Sequence, residues 1–330
     1  MTEAVAAVLW LSLTAYAVLA GADFGGGVWD ALASGPRARR QRQAVAIAMG
    51  PVWEANHVWL IFMIVGLFTA FPTAFAALAV ALYLPLTAAM TGIVLRGAAF
   101  AFRAHGREAA GATSPWGVIF GAASVLTPAF LGAAAAAVAS GAIRVADGRV
   151  ISGPLAGWTT LFAADLALLS VSLCAYLAAT YLVVETQAEP DLQADFRRRA
   201  VWAGVASGAF ALAGLALAWF TAPQLAGELL GRGLPLLALA LLNGPLALVA
   251  VLRGRPRIAR IAVAAQVMFV LWAWAIGQWP LLVPPDLSID ATASPAATLS
   301  LLLVVVAAGM ALLLPSLYVL FRVFKGRNPV

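Results

Sequence analysis

Nine long apolar runs constrain this chain more than anything else in it. They lie near residues 4–22, 56–75, 77–102, 116–140, 157–184, 200–220, 234–252, 259–280 and 297–324. Each is near the roughly 20 residues that a helix needs to cross a bilayer. In hydrocarbon every backbone N–H and C=O must be satisfied within the protein, which leaves helices and closed barrels, and runs this long and unbroken predict helices. The chain is 63% hydrophobic and 10% charged, with a mean hydropathy of +0.96, which excludes an ordinary soluble domain. The expected fold is therefore all-α: a single integral membrane domain over residues 1–330 with nine transmembrane helices. The first run follows an acidic Thr2-Glu3 start rather than a basic one, so it does not read as a cleavable signal peptide.

An odd number of spans puts the termini on opposite sides, and the loops decide which. Sixteen of the twenty Lys and Arg residues fall on one face: Arg37, Arg39, Arg40 and Arg42, then Arg103 and Arg107, Arg197 to Arg199, Arg253 to Arg260, and the C-terminal Arg322, Lys325 and Arg327. The other face has Arg144, Arg149 and Arg232, and Arg96 lies inside the third run. Positive loops stay cytoplasmic, so the C-terminus is expected inside and the N-terminus outside. The net charge of +6 is thus a topology signal, and no nucleic-acid partner is read from it. Trp10, Trp29, Trp53, Trp116, Trp158 and Trp279 lie near predicted helix ends, where indoles anchor at the interface. The acidic stretch from Glu185 to Asp195 reads as a cytoplasmic loop. Pro85 and Pro245, each followed by Leu-Arg-Gly (95–97 and 252–254), hint at two four-helix bundles plus a ninth helix.

The polar residues inside these runs are few. Asp23 closes the first run in Gly21-Ala22-Asp23-Phe24-Gly25-Gly26-Gly27, and Glu54 opens the second in Gly50-Pro51-Val52-Trp53-Glu54-Ala55-Asn56-His57-Val58-Trp59. An ionisable group within a bilayer helix costs about 3 kcal/mol on insertion scales, so such groups mark function more often than chance. With the first helix running inward and the second outward, both carboxylates are expected at one depth near the cytoplasmic face. Asn56 and His57 continue inward, and Arg96 can pair with either acid. Together they suggest a proton path from the cytoplasm. Other readings stand beside this one. Asp23 can end its helix or answer the Arg cluster, and Glu54 can serve the helix dipole. His57 can be a satisfied interhelical hydrogen-bonder, and Arg96 can snorkel to the interface. Trp53 and Trp59 flank the motif in a supporting role. A second polar cluster, Asp290 and Thr292, lies on the outer side and can cap the last helix.

Several chemistries are excluded or unsupported. Glu54-x-x-His57 has di-iron spacing, but the second copy and further glutamates are missing, so no metal site is expected. The chain has two histidines, and His105 is expected in a loop, so a bis-histidine haem has no ligands here. The single cysteine, Cys174, excludes an intrachain disulfide. Gly25-Gly26-Gly27 lacks the strand-turn-helix setting of a nucleotide loop.

Taken together, the segments resemble subunit II of the cytochrome bd-type quinol oxidases, including the cyanide-insensitive branch. The resemblance covers the whole chain. It rests on the Gly21–Gly27 and Pro51–Leu60 motifs, with support from Arg96 to Arg103, Ala179-Thr180-Tyr181-Leu182, Asp290-Ala291-Thr292 and the Gly326-Arg327 tail. It implies a multi-pass protein of the prokaryotic cell (inner) membrane. It also implies a haem-bearing partner, subunit I, that oxidises quinol and reduces O2 to water, with this chain as the haem-free subunit of that quinol:O2 oxidoreductase. The family's proton path corresponds to Asp23 and Glu54, with Trp53 and Asn56 beside them. Val52 stands where some members carry histidine, and His57 where they carry glutamine or glutamate. Some members hold a structural quinone in this subunit, in addition to the surrounding lipid. A stand-alone proton-coupled transporter using the same carboxylates is the alternative, and a purely structural scaffold is a third reading.

Overall fold

In a computed structural model, which describes residues 1–49, 53–105 and 114–325, the chain is a bundle of helices with two small hairpins. The helices are α1 (Thr2–Ala31), α2 (Ala38–Met49), α3 (Trp53–Ala70), α4 (Pro72–Ala81), α5 (Tyr83–His105), α6 (Pro115–Ala139), α7 (Leu161–Glu185), α8 (Pro190–Thr221), α9 (Pro223–Leu230), α10 (Leu234–Leu252), α11 (Pro256–Gln278), α12 (Ile289–Thr292) and α13 (Ala296–Lys325). Among the described residues nine of them, α1, α3, α5, α6, α7, α8, α10, α11 and α13, are long and apolar enough to cross a membrane. Proline marks several starts. Pro115, Pro190, Pro223 and Pro256 each open a helix, where the missing N–H would have had no intrahelical partner. Ser114 and Thr160 cap α6 and α7, accepting from the N–H groups of Gly117 and Ala163 at 3.1 Å.

Two boundaries differ from the sequence reading. The second and third apolar runs do not abut. Pro72 starts a separate ten-residue helix, α4, after the non-helical Phe71 (φ −136°, ψ 61°), and α5 begins only at Tyr83. Hydropathy cannot see this break, because α4 is as apolar as its neighbours. The stretch expected as a loop from Glu185 to Asp195 is largely helical, since α8 starts at Pro190 and carries Asp195 and the Arg197–Arg199 triplet. His105, expected in a loop, is the last residue of α5.

Helices α1, α3, α5 and α6 pack as one group and α7, α8, α10 and α11 as a second, with α7 packed against α1 and α6. Helix α13 stands at the side of α3 and α1, exposed along most of its length. The Leu-Arg-Gly echo is not a structural repeat: Arg96 is buried inside α5, whereas Arg253 follows the last residue of α10 and Gly254 turns away at φ +66°.

Residues 25–27 explain how α1 can sit at the centre. Three successive glycines face three different neighbours. A Cβ on Gly25 would strike the backbone carbonyl of Cys174 in α7, one on Gly26 the Met49 side chain of α2, and one on Gly27 the Ser124 hydroxyl of α6. With no hydrophobic drive between helices in lipid, close backbone approach of this kind is what holds them together. Trp29 is part of the same contact. It is buried, not interfacial as its position near a helix end suggested, and its indole N–H donates to the Ala175 carbonyl at 2.7 Å.

The two ends of the bundle differ in chemistry. At one end, Arg37 and Gln41 both bind the Asp195 carboxylate, Arg40 pairs with Glu189, Arg199 donates to Gln41, and Arg103 pairs with Asp30. Helix α2 lies across this end, burying Gln41, Val45 and Met49 at four-residue spacing. The other end carries hairpins β1–β2 (Val145–Ala146, Arg149–Val150) and β3–β4 (Leu281–Val283, Leu287–Ser288). The first turns through Asp147 and Gly148, both at positive φ, as a tight hairpin requires. Arg144 clips the two hairpins together through Asp286 at 2.8 Å, and its guanidinium holds that carboxyl below the usual carboxylate range.

Candidate functional site

Asp23 lies three-quarters of the way along α1 and is 3% exposed. Its Oδ2 accepts a 2.6 Å hydrogen bond from the Asn56 amide, which reaches across from the first turn of α3. Arg96 approaches from α5, is 2% exposed and does not snorkel. Its Nη2 donates to the Asp23 carbonyl oxygen at 2.8 Å and its Nε to the Ser124 hydroxyl at 3.3 Å. The guanidinium is sandwiched by aromatic rings, 5.1 Å from the centroid of Phe24 and 5.2 Å from that of Phe120. Arg is suited to this, because its flat and weakly hydrated cation stacks on rings while its fork still donates. The acid, amide and arginine of the sequence reading therefore form one buried cluster.

His57 sits beside the cluster, one residue beyond Asn56 on α3. Its ring is 5.8 Å from Tyr16, 6.0 Å from Phe24 and 6.2 Å from Trp53. Its Nδ1 is buried with no hydrogen-bond partner among the described residues. Trp53 also packs on Phe100 and over Gly97, closing one side of the site. Trp59 is half-buried next to Tyr16, and its carbonyl accepts a bond from the Ser12 hydroxyl at 2.7 Å.

Glu54 is placed differently. It is in the first turn of α3, where the helix dipole favours an anion, but on the exposed side of the helix. Val58, Ile61 and Val65 follow it at helical spacing along the same exposed stripe. It is Asn56, and not Glu54, that meets Asp23. Alternation along one helical turn decides this: residues 54 and 56 point to nearly opposite sides. Gly50, Pro51 and Val52 lie outside the described residues, as do Arg107, Gly326 and Arg327.

A cavity of about 240 Å3 connects this cluster to the arginine-rich end of the bundle. It is lined by Asp30, Arg42, Met49, Trp53, Arg96 and Phe120 among others. Asp30 was not singled out from the sequence. It is 2% exposed, and both its carboxylate oxygens accept from Arg103, at 3.0 and 3.1 Å. The signal was present as a seven-residue interval from Asp23, which places the two acids on one face of α1.

The outer polar cluster does not join this site. Ile289 of α12 packs with Val5 and Leu9, at the opposite end of α1 from Asp23. Neither Asp290 nor Thr292 caps α13. Ser288 caps α12, accepting from Ala291 N–H at 3.2 Å, while Thr292 donates to the Ser288 carbonyl at 2.8 Å and Asp290 is exposed. Among the described residues no group of three or more His, Cys, Asp or Glu side chains could hold a metal ion.

Among the described residues, nine membrane-length helices and an acid–amide–arginine cluster buried between α1, α3, α5 and α6 define a polytopic membrane subunit with ionisable groups in its interior. Comparison with known proteins narrows the class. A sequence model described as "Cytochrome bd terminal oxidase subunit II" matches residues 1–324. The chain therefore belongs to the family of subunit II of the cytochrome bd-type quinol oxidases. It is 23% identical over 340 residues to a Bacillus subtilis (strain 168) protein provisionally named as a cytochrome bd menaquinol oxidase subunit II, covering 96% of this chain and 93% of that one. It is 32% identical over 100 residues to the same organism's cytochrome bd ubiquinol oxidase subunit 2, a match spanning 29% of each chain. In fold it is similar to a chain of the bd oxidase from Geobacillus thermodenitrificans, with a TM-score of 0.81 at 23% identity and 99% coverage of both chains.

Proposed function

We propose that this chain, as subunit II, supplies protons from the cytoplasm to a haem-bearing subunit I, which oxidises quinol and reduces O2 to water. The observation that carries the reading is Asp23: a carboxylate 3% exposed in an apolar bundle and hydrogen-bonded by Asn56, beside Arg96, which lines a cavity of about 240 Å3 running to the arginine-rich end. The excess of basic residues at that end supports a cytoplasmic orientation for the inlet. A transporter working alone is not favoured by the family.

Glu54 supports a role at the junction with the partner. A carboxylate facing lipid would cost about 3 kcal/mol if it stayed charged, so the stripe Glu54-Val58-Ile61-Val65 suits contact with protein better than with lipid. Replacing Glu54 with glutamine keeps size and hydrogen bonding and removes the proton site. The purified complex carrying Glu54→Gln is expected to consume oxygen with quinol about tenfold more slowly, ~1.4 kcal/mol on the barrier, with an unchanged haem spectrum. Normal turnover would take Glu54 out of the path.

A second, mostly apolar cavity of about 460 Å3 suits a quinone held as a structural group. Trp10, Leu13, Met63 and Trp274 line its apolar part, and Arg232 and Gln278 provide a polar end near the outer face. Trp10 and Trp274 meet edge to face at 5.1 Å, and Trp10 donates to the Leu271 carbonyl, which fixes the wall. Solvent extraction of the purified complex is expected to release quinone from the unaltered protein and little from Met63→Trp, whose indole would fill the cavity. Equal quinone content in both would remove this site.

A further inference from the structure

We propose that one face of α1 is a three-station proton ladder, with Asp30 as its inlet, Asp23 as its middle and Tyr16 as its inner terminus. This rests on the proton-path reading above and adds two residues to it. The spacing is the first argument. Positions 16, 23 and 30 are seven apart, so they form one stripe, with a rise of about 10.5 Å between stations. All three are buried, at 5%, 3% and 2% exposure, in a helix whose other neighbours are overwhelmingly apolar.

The surroundings are the second argument. Asp30 faces the 240 Å3 cavity at the arginine-rich end and is held by Arg103. The step from Asp30 to Asp23 passes Gly27. The space a side chain would fill there is taken by the Ser124 hydroxyl, which also meets Arg96, so the gap is lined by a polar group. Beyond Asp23 the polar atoms are left open. Among the described residues, the Tyr16 hydroxyl, the His57 Nδ1 and the Thr127 hydroxyl are all buried without hydrogen-bond partners. Tyr16 and His57 face each other at 5.8 Å between ring centroids, and Thr127 lies one turn beyond Ser124 on α6. An orphaned buried polar group is costly, because it has given up its hydrogen bonds to water and gained none. Several in one part of a bundle mark a place where water completes the bonds. Gaps of about 10 Å exceed any single hydrogen bond, so water must carry the proton between stations.

The bookkeeping closes at each station. A carboxylate that takes a proton from the cytoplasmic side releases one to the next water and is regenerated. At Tyr16 the oxygen accepts a proton on a lone pair as its own hydrogen leaves, so nothing is consumed. The partner's oxygen reduction removes protons at the far end and sets the direction.

Tyr16→Phe in the intact oxidase complex is the decisive variant. It deletes an oxygen that bonds nothing among the described residues, so a merely structural Tyr16 predicts unchanged or raised stability and unchanged turnover. The ladder predicts quinol-driven oxygen uptake and dye-detected proton uptake both slowed by about tenfold, ~1.4 kcal/mol, with the haem spectrum and melting temperature retained. Wild-type rates in Tyr16→Phe, with Asp23→Asn slow, would overturn the Tyr16 station and leave the proton path standing. Wild-type rates in both would bring down the path itself. For the inlet, Asp30→Asn is expected to slow proton uptake per haem and Asp30→Glu to restore it. Lower yield with unchanged uptake per haem in Asp30→Asn would overturn Asp30 as the inlet.

Discussion

Asp23→Asn is expected to lower quinol-driven oxygen uptake by about a hundredfold, the low end of what a positioned proton-transferring group contributes, while the complex still assembles with its haems. Asparagine has the volume of aspartate and can keep a hydrogen bond to Asn56 after an amide flip, so the packing around α1 is preserved. The Arg96 contact survives as well, because its 2.8 Å bond goes to the backbone carbonyl of residue 23 and not to the side chain. What is lost is the ionisable carboxylate, and with it the capacity to bind and release a proton and the negative charge beside the buried Arg96. Oxygen uptake and the reduced-minus-oxidised haem spectrum, measured on one preparation, separate the two effects. Loss of haem together with activity would mean that Asp23 holds the fold. Unchanged turnover would mean that protons enter elsewhere.

Gly25→Val is expected to damage the protein more broadly. The new Cβ would overlap the Cys174 carbonyl and crowd the Ala175 nitrogen, and both belong to the backbone of α7. A flexible side chain could rotate away, but a helix backbone cannot, so α1 and α7 must separate. That contact joins the two helix groups, and Trp29 bonds across it to Ala175. The cost is expected near 3 kcal/mol, the upper end for overpacking, and appears as a lower melting temperature in detergent and a lower yield of complex. Gly208→Ala is the matched control. A Cβ there meets nothing within 4 Å, so the change should be neutral or raise stability by up to ~1 kcal/mol through helix propensity. Equal behaviour of the two variants would show that close approach at Gly25 does not hold the halves together.

The sequence alone determined the environment, the number of spans and the family resemblance. These follow from apolar length, loop charge and short motifs, which are local and additive along the chain. It also pointed to Asp23, Asn56, Arg96 and His57, because a polar residue in an apolar run is conspicuous wherever the run packs. Only the tertiary structure decided direction. Residues 54 and 56 look equivalent in the motif, yet one reaches Asp23 and the other faces outward, since two positions on a helix differ by about 200° and hydropathy has no angle. Trp29 resembled an anchor and is a core residue, because depth across the bundle is set by the neighbour that Gly25 admits. Neither Asp30 nor Tyr16 stood out in the sequence. Their shared face acquires meaning only when α3, α5 and α6 close around it and bury charges that water would otherwise have kept.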